Sequence, residues 1–170
     1  EGMDTGPIIL QVKTPIAPDE NAGELTTRLA ELGALSLIEA LSLIASGAAR
    51  YEPQDESLAS YARKLTPELA RIRWDGSADS IAQLVRALDP RVGARTTLRG
   101  RLVKLFGPRP ADEWDEDKHP GEIIETSPAL IVATGSGALQ FLDVQPEGRG
   151  RMAAADWVRG RGATKGDRFE

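Results

Sequence analysis

The chain has 170 residues, 41% hydrophobic and 28% charged, which is enough for one domain, or for one small domain and part of another. The absence of cysteine excludes disulfides, thiol catalysis and thiolate metal sites, and no apolar run reaches the roughly 20 residues that a membrane-spanning helix needs. The net charge of −5 argues weakly against a nucleic-acid partner, but residues 91–109 include six basic residues and no acidic one.

A short strand and a long helix are predicted first. Residues 8–13 (IILQVK) form a largely apolar run that is typical of a buried strand. Asn21 and Glu24 resemble a capping box, after which leucine and isoleucine recur at helical spacing as far as Ile44, and Gly47 is placed to end the helix. One strand–helix unit cannot cover a parallel strand on both faces, so we expect further α/β structure upstream.

A linker and a second helix are predicted next. Residues 49–74 show no apolar periodicity before the sequence ARIRW (70–74), which indicates an extended linker. Ser77 begins a helix that has Pro90 just past its end, and one face of this helix carries apolar residues, namely Ile81, Leu84, Val85 and Leu88.

The rest of the chain is predicted to be mainly β-structure. Four β-like stretches are separated by glycine and proline, at residues 95–106, 121–126, 129–134 and 138–145. A last short helix is predicted over 153–159. Short strands with glycine turns and a flanking helix indicate a small, partly open barrel of the oligonucleotide-binding type.

Asp4, in the sequence MDTGP, has two interpretations. In the first it forms a turn, in which its carboxylate caps a backbone N–H and Gly6 takes the left-handed conformation. In the second, the small neighbouring residues allow a substrate to approach the carboxylate closely. The spacing favours the turn.

Three basic residues, Arg99, Arg101 and Lys104, are predicted to lie along the strand 95–106. They form either a solvated face or a track for phosphate groups, and the sequence does not decide between the two.

The polar segment between the first two of these β-like stretches holds two weaker candidates. His119 is the only histidine, and we interpret it as an exposed loop residue without an ordered catalytic partner. The acidic run DEWDED (112–117) lacks the ligand spacing and the glycine of a calcium loop, so it is interpreted as solvated. No metal site is predicted.

Several segments, in order along nearly the whole chain, resemble methionyl-tRNA formyltransferases. Residues 2–34 are similar to the end of the catalytic domain of that family, and residues 61–90 to its linker and the start of its barrel. The C-terminal barrel of the family is similar to four further segments, namely GRLVKLF, PGEII, residues 130–160 and the closing GDRF. The chain departs from the family pattern at 91–94 and in the insertion at 111–119.

The resemblance implies an α+β chain in which an oligonucleotide-binding-like (OB-like) β-barrel follows the last strand and helix of a doubly wound α/β formyltransferase domain. The implied division is a catalytic-domain remnant at 1–48, a linker at 49–75 and a tRNA-binding barrel at 76–170. The implied reaction transfers a formyl group from 10-formyltetrahydrofolate to the amino group of methionyl initiator tRNA, in translation initiation. A cytoplasmic location is expected, and the oligomeric state stays open.

The resemblance also implies roles for individual residues. Asp4 matches the Asp of a catalytic Asn, His and Asp set, and the other two members belong to an upstream segment that this chain does not contain. The chain alone is therefore expected to be inactive. The expected tRNA contacts are Lys64, in the linker sequence YARKL, and the three basic residues Arg99, Arg101 and Lys104. The alternatives are a stand-alone nucleic-acid-binding barrel and a fragment of a sugar-nucleotide formyltransferase.

Overall fold

The computed structural model describes residues 4–112, 114 and 117–170, which form two compact units. Unit 1 consists of residues 4–18 and 24–64, and unit 2 consists of residues 19–23 and 65–170. The helices are α1 (Ala22–Ala45), α2 (Ala78–Leu88) and α3 (Ala154–Arg159), with a 3-10 turn at Glu56–Leu58. The strands are β1 (Ala94–Leu98), β2 (Arg101–Ala111), β3 (Ile123–Glu125), β4 (Leu130–Ala133), β5 (Ala138–Pro146) and β6 (Met152–Ala153).

Unit 1 contains the predicted long helix but lacks the predicted strand. Helix α1 runs as expected, and Gly47 follows it with φ 70°. The strand prediction for 8–13 is wrong, because the only backbone pairing of these residues within the described chain is an isolated bridge between Ile8 and Glu52. A strand needs a neighbour to accept its backbone hydrogen bonds, and unit 1 supplies one for a single residue only. The side chain of Arg28 instead holds this segment to α1 by donating to Pro15 O at 2.8 Å.

Unit 2 is built on a six-stranded antiparallel sheet with the order β1-β2-β5-β4-β3, in which β6 pairs with β5. The single stretch predicted at 95–106 is two strands, since the chain turns back at Arg99 and Gly100 with φ 52° and 75°. Two successive residues with positive φ are typical of the tight turns that match the twist of a hairpin. The other predicted strands and the helices α2 and α3 are confirmed within a few residues of their predicted ends.

The core of unit 2 begins earlier in the chain than the sequence predicts. Ala70, Ile72 and Trp74 are all buried, although they belong to the segment interpreted as a linker. The alternation of these residues with exposed arginines is a strand-like pattern, and Arg71 forms a parallel bridge with Arg95 of β1. Helix α2 covers this core with residues Ile81, Ala82, Val85 and Leu88, and its first turn is capped by Ser77.

The two outer strands of the sheet are joined by residues 166–170, here called the closing segment. On the β3 side, Phe169 N–H donates to Gly121 O at 2.8 Å. On the β1 side, Thr97 and Glu170 exchange two backbone hydrogen bonds of 3.0 and 2.9 Å. The ring of Phe169 stacks on Trp74 with 5.6 Å between centroids, so the closing segment also enters the core. The sheet with this segment forms a half-barrel.

Candidate functional site

Asp4 lies in an exposed turn of unit 1. Its own φ is 59°, whereas Gly6 does not have a positive φ, so the expectation that Gly6 takes the left-handed conformation is wrong. Aspartate tolerates this conformation better than most residues. The side-chain amide of Gln54 holds the turn by donating to the carbonyl oxygens of Asp4 and Gly6 at 2.9 and 2.7 Å. The backbone around Asp4 is therefore held in place, while its side chain faces solvent.

Lys64 is the last residue of unit 1 and is exposed in a stretch without regular secondary structure. The other three predicted tRNA contacts belong to unit 2. Two of these, Arg99 and Arg101, line the same cleft, whereas Lys104 does not line it.

Arg99 and Arg101 line a cleft of about 670 Å³ on the half-barrel, here called the arginine cleft. Its other arginines are Arg149, in the loop after β5, and Arg161, in the loop after α3. The loop after β5 is held against β2, since Glu147 N–H donates to Leu102 O at 2.9 Å. Three separate segments of the chain thus supply the four guanidinium groups of the cleft.

The four arginines of the cleft are not equivalent. Arg99 forms an ion pair with Asp167, with 2.5 Å between Nη2 and Oδ2. Arg101, Arg149 and Arg161 form no ion pair within the described part of the chain. The positive charge of the cleft is therefore carried mainly by these three residues.

Asp167 is a strong partner for Arg99 because it is partly buried and accepts several hydrogen bonds. Burial raises the pKa of the Asp167 carboxyl, but the Arg99 guanidinium and the donors of Thr164 outweigh burial and hold this pKa below its usual value. Thr164 donates its N–H at 2.8 Å and its hydroxyl at 3.0 Å. The pair joins the turn between β1 and β2 to the closing segment.

Neither Arg149 nor Arg161 was predicted from the sequence as a site residue. Each of them lies in a Gly-Arg-Gly triplet, at 148–150 and 160–162. The repeated triplet is the signal that could have identified both, because glycine-flanked arginines are typical of exposed turns. Gly162 is also required sterically, since a Cβ at this position would lie 2.1 Å from Trp157 Nε1.

Lys104 lies on the outer face of the sheet, since its neighbours Val103 and Leu105 point into the core. The expected single row of Arg99, Arg101 and Lys104 along one strand is therefore wrong, because the chain turns at Arg99. Lys104 is instead directly opposite Arg95, and Arg95 in turn bridges to Arg71. Lys104, Arg95 and Arg71 therefore form a row of cations, which is a second basic surface. Like charges directly opposite each other on neighbouring strands are destabilising, so this row has a cost in stability.

A partly buried ion-pair network holds the loop after β5 to the rest of unit 2. Arg151 donates to Asp89, at the end of α2, at 2.7 Å and to Asp143 of β5 at 2.9 Å. Its guanidinium also lies 4.2 Å from the centroid of the Phe106 ring. Burial lowers the pKa of Arg151, but the two carboxylates outweigh it and raise this pKa overall. Arg151 is thus structural, although it follows Arg149 by two residues.

The remaining candidates contribute no site. Among residues 4–112, 114 and 117–170, no group of three or more histidine, aspartate and glutamate side chains could hold a metal ion. His119 is exposed as predicted, and residues 113, 115 and 116 of the acidic run lie outside the described residues. None of the helices in the described chain is both long enough and apolar enough to cross a membrane.

Comparison with known proteins assigns the family. Residues 64–162 match the family described as formyl transferase, C-terminal domain. The chain belongs to this family, whose match covers the end of unit 1 and nearly all of the half-barrel.

The relatives identify the kind of formyltransferase that the chain resembles. The chain is 42% identical over 173 residues to the methionyl-tRNA formyltransferase of Dictyoglomus thermophilum, covering 100% of this chain and 55% of that protein. It is 40% identical over 167 residues to that of Roseiflexus castenholzii, covering 98% and 53% respectively. The resemblance predicted from sequence motifs is confirmed. The chain spans about half the length of the curated relatives it matches.

The fold is also found among solved structures. HypX from Aquifex aeolicus in complex with tetrahydrofolic acid superposes with a TM-score of 0.73 over 93% of this chain and 28% of HypX. The identity is 23%, so this likeness concerns the fold alone.

Proposed function

We propose that the chain is the C-terminal part of a methionyl-tRNA formyltransferase. The complete protein transfers a formyl group from 10-formyltetrahydrofolate to the amino group of methionyl initiator tRNA, in translation initiation in the cytoplasm. The observation that carries this proposal is the identity of about 40% to methionyl-tRNA formyltransferases along essentially the whole chain. The same observation favours this enzyme over a sugar-nucleotide formyltransferase.

In this proposal the two units have different roles. Residues 1–48 form the end of the catalytic domain, and the exposed apolar residues of α1, such as Leu35 and Ile38, are covered by the preceding part of that domain. The proposed linker begins at residue 49 and ends before Ala70, and the burial of Ala70, Ile72 and Trp74 supports this end. The half-barrel is an OB-like tRNA-binding domain, supported by its short antiparallel strands, its glycine turns and its closing segment.

Asp4 is the proposed catalytic carboxylate. Attack of an amine on a formyl carbon develops negative charge on oxygen, and a positioned donor stabilises that charge. A carboxylate that accepts an N–H bond from an imidazole raises the pKa of the imidazole and holds it as such a donor. The exposed carboxylate on a held turn suits this role, and the imidazole comes from the part of the enzyme that precedes Asp4.

The proposed folate site is completed by residues of the full-length enzyme that precede Asp4. Four clefts on the described residues are lined by unit 2, and Asp4 lines none of these four. The donor 10-formyltetrahydrofolate is therefore proposed to bind to the complete enzyme.

The proposed tRNA contacts are Lys64, Arg99, Arg101 and Lys104. They are supported by their exposure or half-exposure and by the two basic surfaces of the half-barrel, namely the arginine cleft and the row that includes Arg95 and Lys104. Contacts of this kind are to phosphate groups, so they set affinity and not the identity of the tRNA.

The test is formylation of methionyl initiator tRNA by the 170-residue chain and by the full-length protein that includes it. We expect no product from the chain alone and rapid turnover by the full-length protein. In the full-length protein, Asp4→Asn is expected to lower kcat by a factor of about 100 to 10,000, with tRNA binding unchanged. Glu39→Gln, which removes an exposed carboxylate from α1, is the matched control and is expected to be neutral.

Two results would contradict the proposal. Formylation by the chain alone, above a blank without protein, would show that the upstream residues are not needed. A full-length protein that binds tRNA but forms no product with any folate donor would favour the alternative of a nucleic-acid-binding module.

A further inference from the structure

We infer that Gln54 is a positioning residue for the reaction, because its side chain holds the backbone of the turn that carries Asp4. This role rests on the catalytic role proposed for Asp4 and adds a second residue to it. Gln54 lies within the proposed linker, which begins at residue 49. The linker therefore has two functions, since it connects the two units of the chain and also holds the proposed catalytic carboxylate in place.

The contact between Gln54 and the Asp4 turn uses both hydrogens of one side-chain amide. Gln54 Nε2 lies 2.9 Å from Asp4 O and 2.7 Å from Gly6 O. A carbonyl oxygen can only accept, and an amide nitrogen carries two hydrogens, so each hydrogen is donated to one carbonyl. The two accepting residues lie on either side of Thr5. The amide thus spans the turn and fixes the direction in which the Asp4 side chain leaves the backbone.

The backbone of Gln54 is itself held on both sides. Before it, Ile8 and Glu52 exchange two backbone hydrogen bonds of 2.8 and 2.9 Å. After it, Asp55 caps the following 3-10 turn by accepting from the N–H of Ser57 at 3.0 Å and from its hydroxyl at 2.6 Å. The Gln54 amide is therefore presented by a fixed segment, which is what the orientation of a catalytic group requires.

The conformation of Asp4 explains why the turn needs such a contact. The φ of Asp4 is 59°, in the left-handed region that glycine occupies more readily than residues with a side chain. Backbone of this kind persists where surrounding contacts fix it, and it is concentrated at functional sites. Gln54 supplies two such contacts from 50 and 48 positions away in the chain.

The exposure of the contact separates positioning from stability. Asp4 and Gln54 are both exposed, so water competes for the two hydrogen bonds and their contribution to the free energy of unfolding is small. The rate of a reaction is far more sensitive to geometry, since a displacement of about 1 Å can lower it by a factor of about 100. The loss of the Gln54 amide is therefore expected to lower kcat and to leave the thermal midpoint nearly unchanged.

The experiment uses the full-length protein that includes this chain and measures kcat, the KM for methionyl initiator tRNA and the thermal midpoint. Gln54→Met keeps the length of the side chain and removes both donors. Gln54→Glu keeps the shape and places a carboxylate beside the two carbonyl oxygens. Gln83→Met, at an exposed position of α2, is the matched control. Gln54→Met is also combined with Asp4→Asn, because asparagine tolerates a positive φ, and single-turnover assays keep this slow variant measurable.

Gln54→Met is expected to lower kcat by a factor of about 10 to 100, with the KM for tRNA changed by less than about 2-fold. Gln54→Glu is expected to lose at least as much, because carbonyl oxygens repel a carboxylate, whereas a role through shape alone would leave this variant active. In the Asp4→Asn background, Gln54→Met is expected to lower kcat by less than about a further 3-fold, since residues that act as a unit are not additive. Gln83→Met is expected to be neutral.

A loss of kcat from Gln54→Met that disappears in the Asp4→Asn background would uphold the positioning role. If Gln54→Met has the same kcat as Gln83→Met while Asp4→Asn still slows the enzyme, the role of Gln54 is overturned and the proposed function stands. An equal fold-loss with and without Asp4→Asn would also overturn it, because Gln54 would then act independently of Asp4. Wild-type turnover by Asp4→Asn would contradict the catalytic role of Asp4 and, with it, the role of Gln54.

Discussion

Arg99 Nη2 lies 2.5 Å from Asp167 Oδ2, and this ion pair is a direct side-chain link between the first hairpin of the half-barrel and the segment that closes it. The two residues are 68 positions apart in the chain. Asp167 also accepts two hydrogen bonds from Thr164, so its carboxylate organises the turn that leads into the closing segment.

Removing the Asp167 carboxylate is expected to destabilise unit 2 more than removing its partner. Asp167→Ala leaves the donors of Thr164 and Arg99 without an acceptor, and we expect a loss of about 1–3 kcal/mol. Arg99→Ala is expected to cost less than about 1 kcal/mol, because the Arg99 side chain is 56% exposed and water screens the pair. Urea unfolding of both variants measures the difference. Equal losses in the free energy of unfolding would mean that the hydrogen bonds from Thr164 to Asp167 do not stabilise unit 2.

Acid is expected to weaken the half-barrel through the same carboxyl. The pKa of Asp167 is lower in the folded chain than in the unfolded chain, whose value is about 3.9. Its contribution is therefore fully present above that value and is lost as the pH falls through the lower folded pKa. The pKa values of Glu122 and Glu125 are lowered too, mainly by hydrogen bonds from Lys118 and from the Thr126 backbone respectively, and act in the same direction.

The measurement is the free energy of unfolding between about pH 7 and pH 3, for the wild type and for Asp167→Asn. We expect the wild type to lose stability below about pH 5 and the variant to lose less over the same range. Parallel curves for the two proteins would show that Asp167 does not contribute to the acid sensitivity.

The two Gly-Arg-Gly triplets offer a matched pair of substitutions. A Cβ at Gly162 would lie 2.1 Å from Trp157 Nε1, whereas a Cβ at Gly150 would meet nothing within 4 Å. Gly162→Ala is expected to lower the free energy of unfolding by about 2 kcal/mol or more, because it forces a buried indole to move. Gly150→Ala is expected to change it by less than about 0.5 kcal/mol. Thermal unfolding distinguishes the two, and a tolerated alanine at 162 would contradict the close packing on Trp157.

Arg151 is expected to matter for stability far more than a surface arginine. Arg151→Ala leaves the carboxylate of Asp89, a residue 4% exposed, without its charged partner. The full penalty for such a change is about 3–5 kcal/mol, and we expect about 2–3 kcal/mol because the Arg151 side chain is 38% exposed. Arg159→Ala, which breaks an exposed pair with Asp156, is the control and is expected to cost less than about 0.5 kcal/mol. A similar cost for both would show that Asp89 is adequately solvated without Arg151.

Short sequence patterns correctly predicted the two longer helices, whose start and stop signals lie within a few residues of their ends. Helix α1 has a clear apolar periodicity and a glycine stop, and helix α2 has a capping serine and a proline just past its end. Both were predicted correctly because these signals act within a few residues. The predicted strand 8–13 failed for the opposite reason, since the pairing of a strand depends on distant residues.

The site was harder to predict than the fold. Arg99 and Arg101 were selected from a run of basic residues, but the turn at Gly100 separated them from Lys104. Arg149 and Arg161 join them through tertiary structure, which no spacing in the sequence reveals. The burial of Ala70, Ile72 and Trp74 was not predicted, because the short alternation at 70–74 becomes a strand-like pairing only beside β1.

The closing segment delays the completion of the half-barrel during translation. Strand β1 ends at Leu98. One edge of β1 pairs with β2, and the other edge pairs with the closing segment, residues 166–170. During translation at roughly 5–20 residues per second, about 70 residues separate the two, so they emerge about 3–14 s apart. From the time each strand emerges until the closing segment pairs with it, the free edges of β1 and β3 present unpaired backbone groups to other nascent chains. The half-barrel can acquire its full protection from aggregation only when residue 170 has left the ribosome.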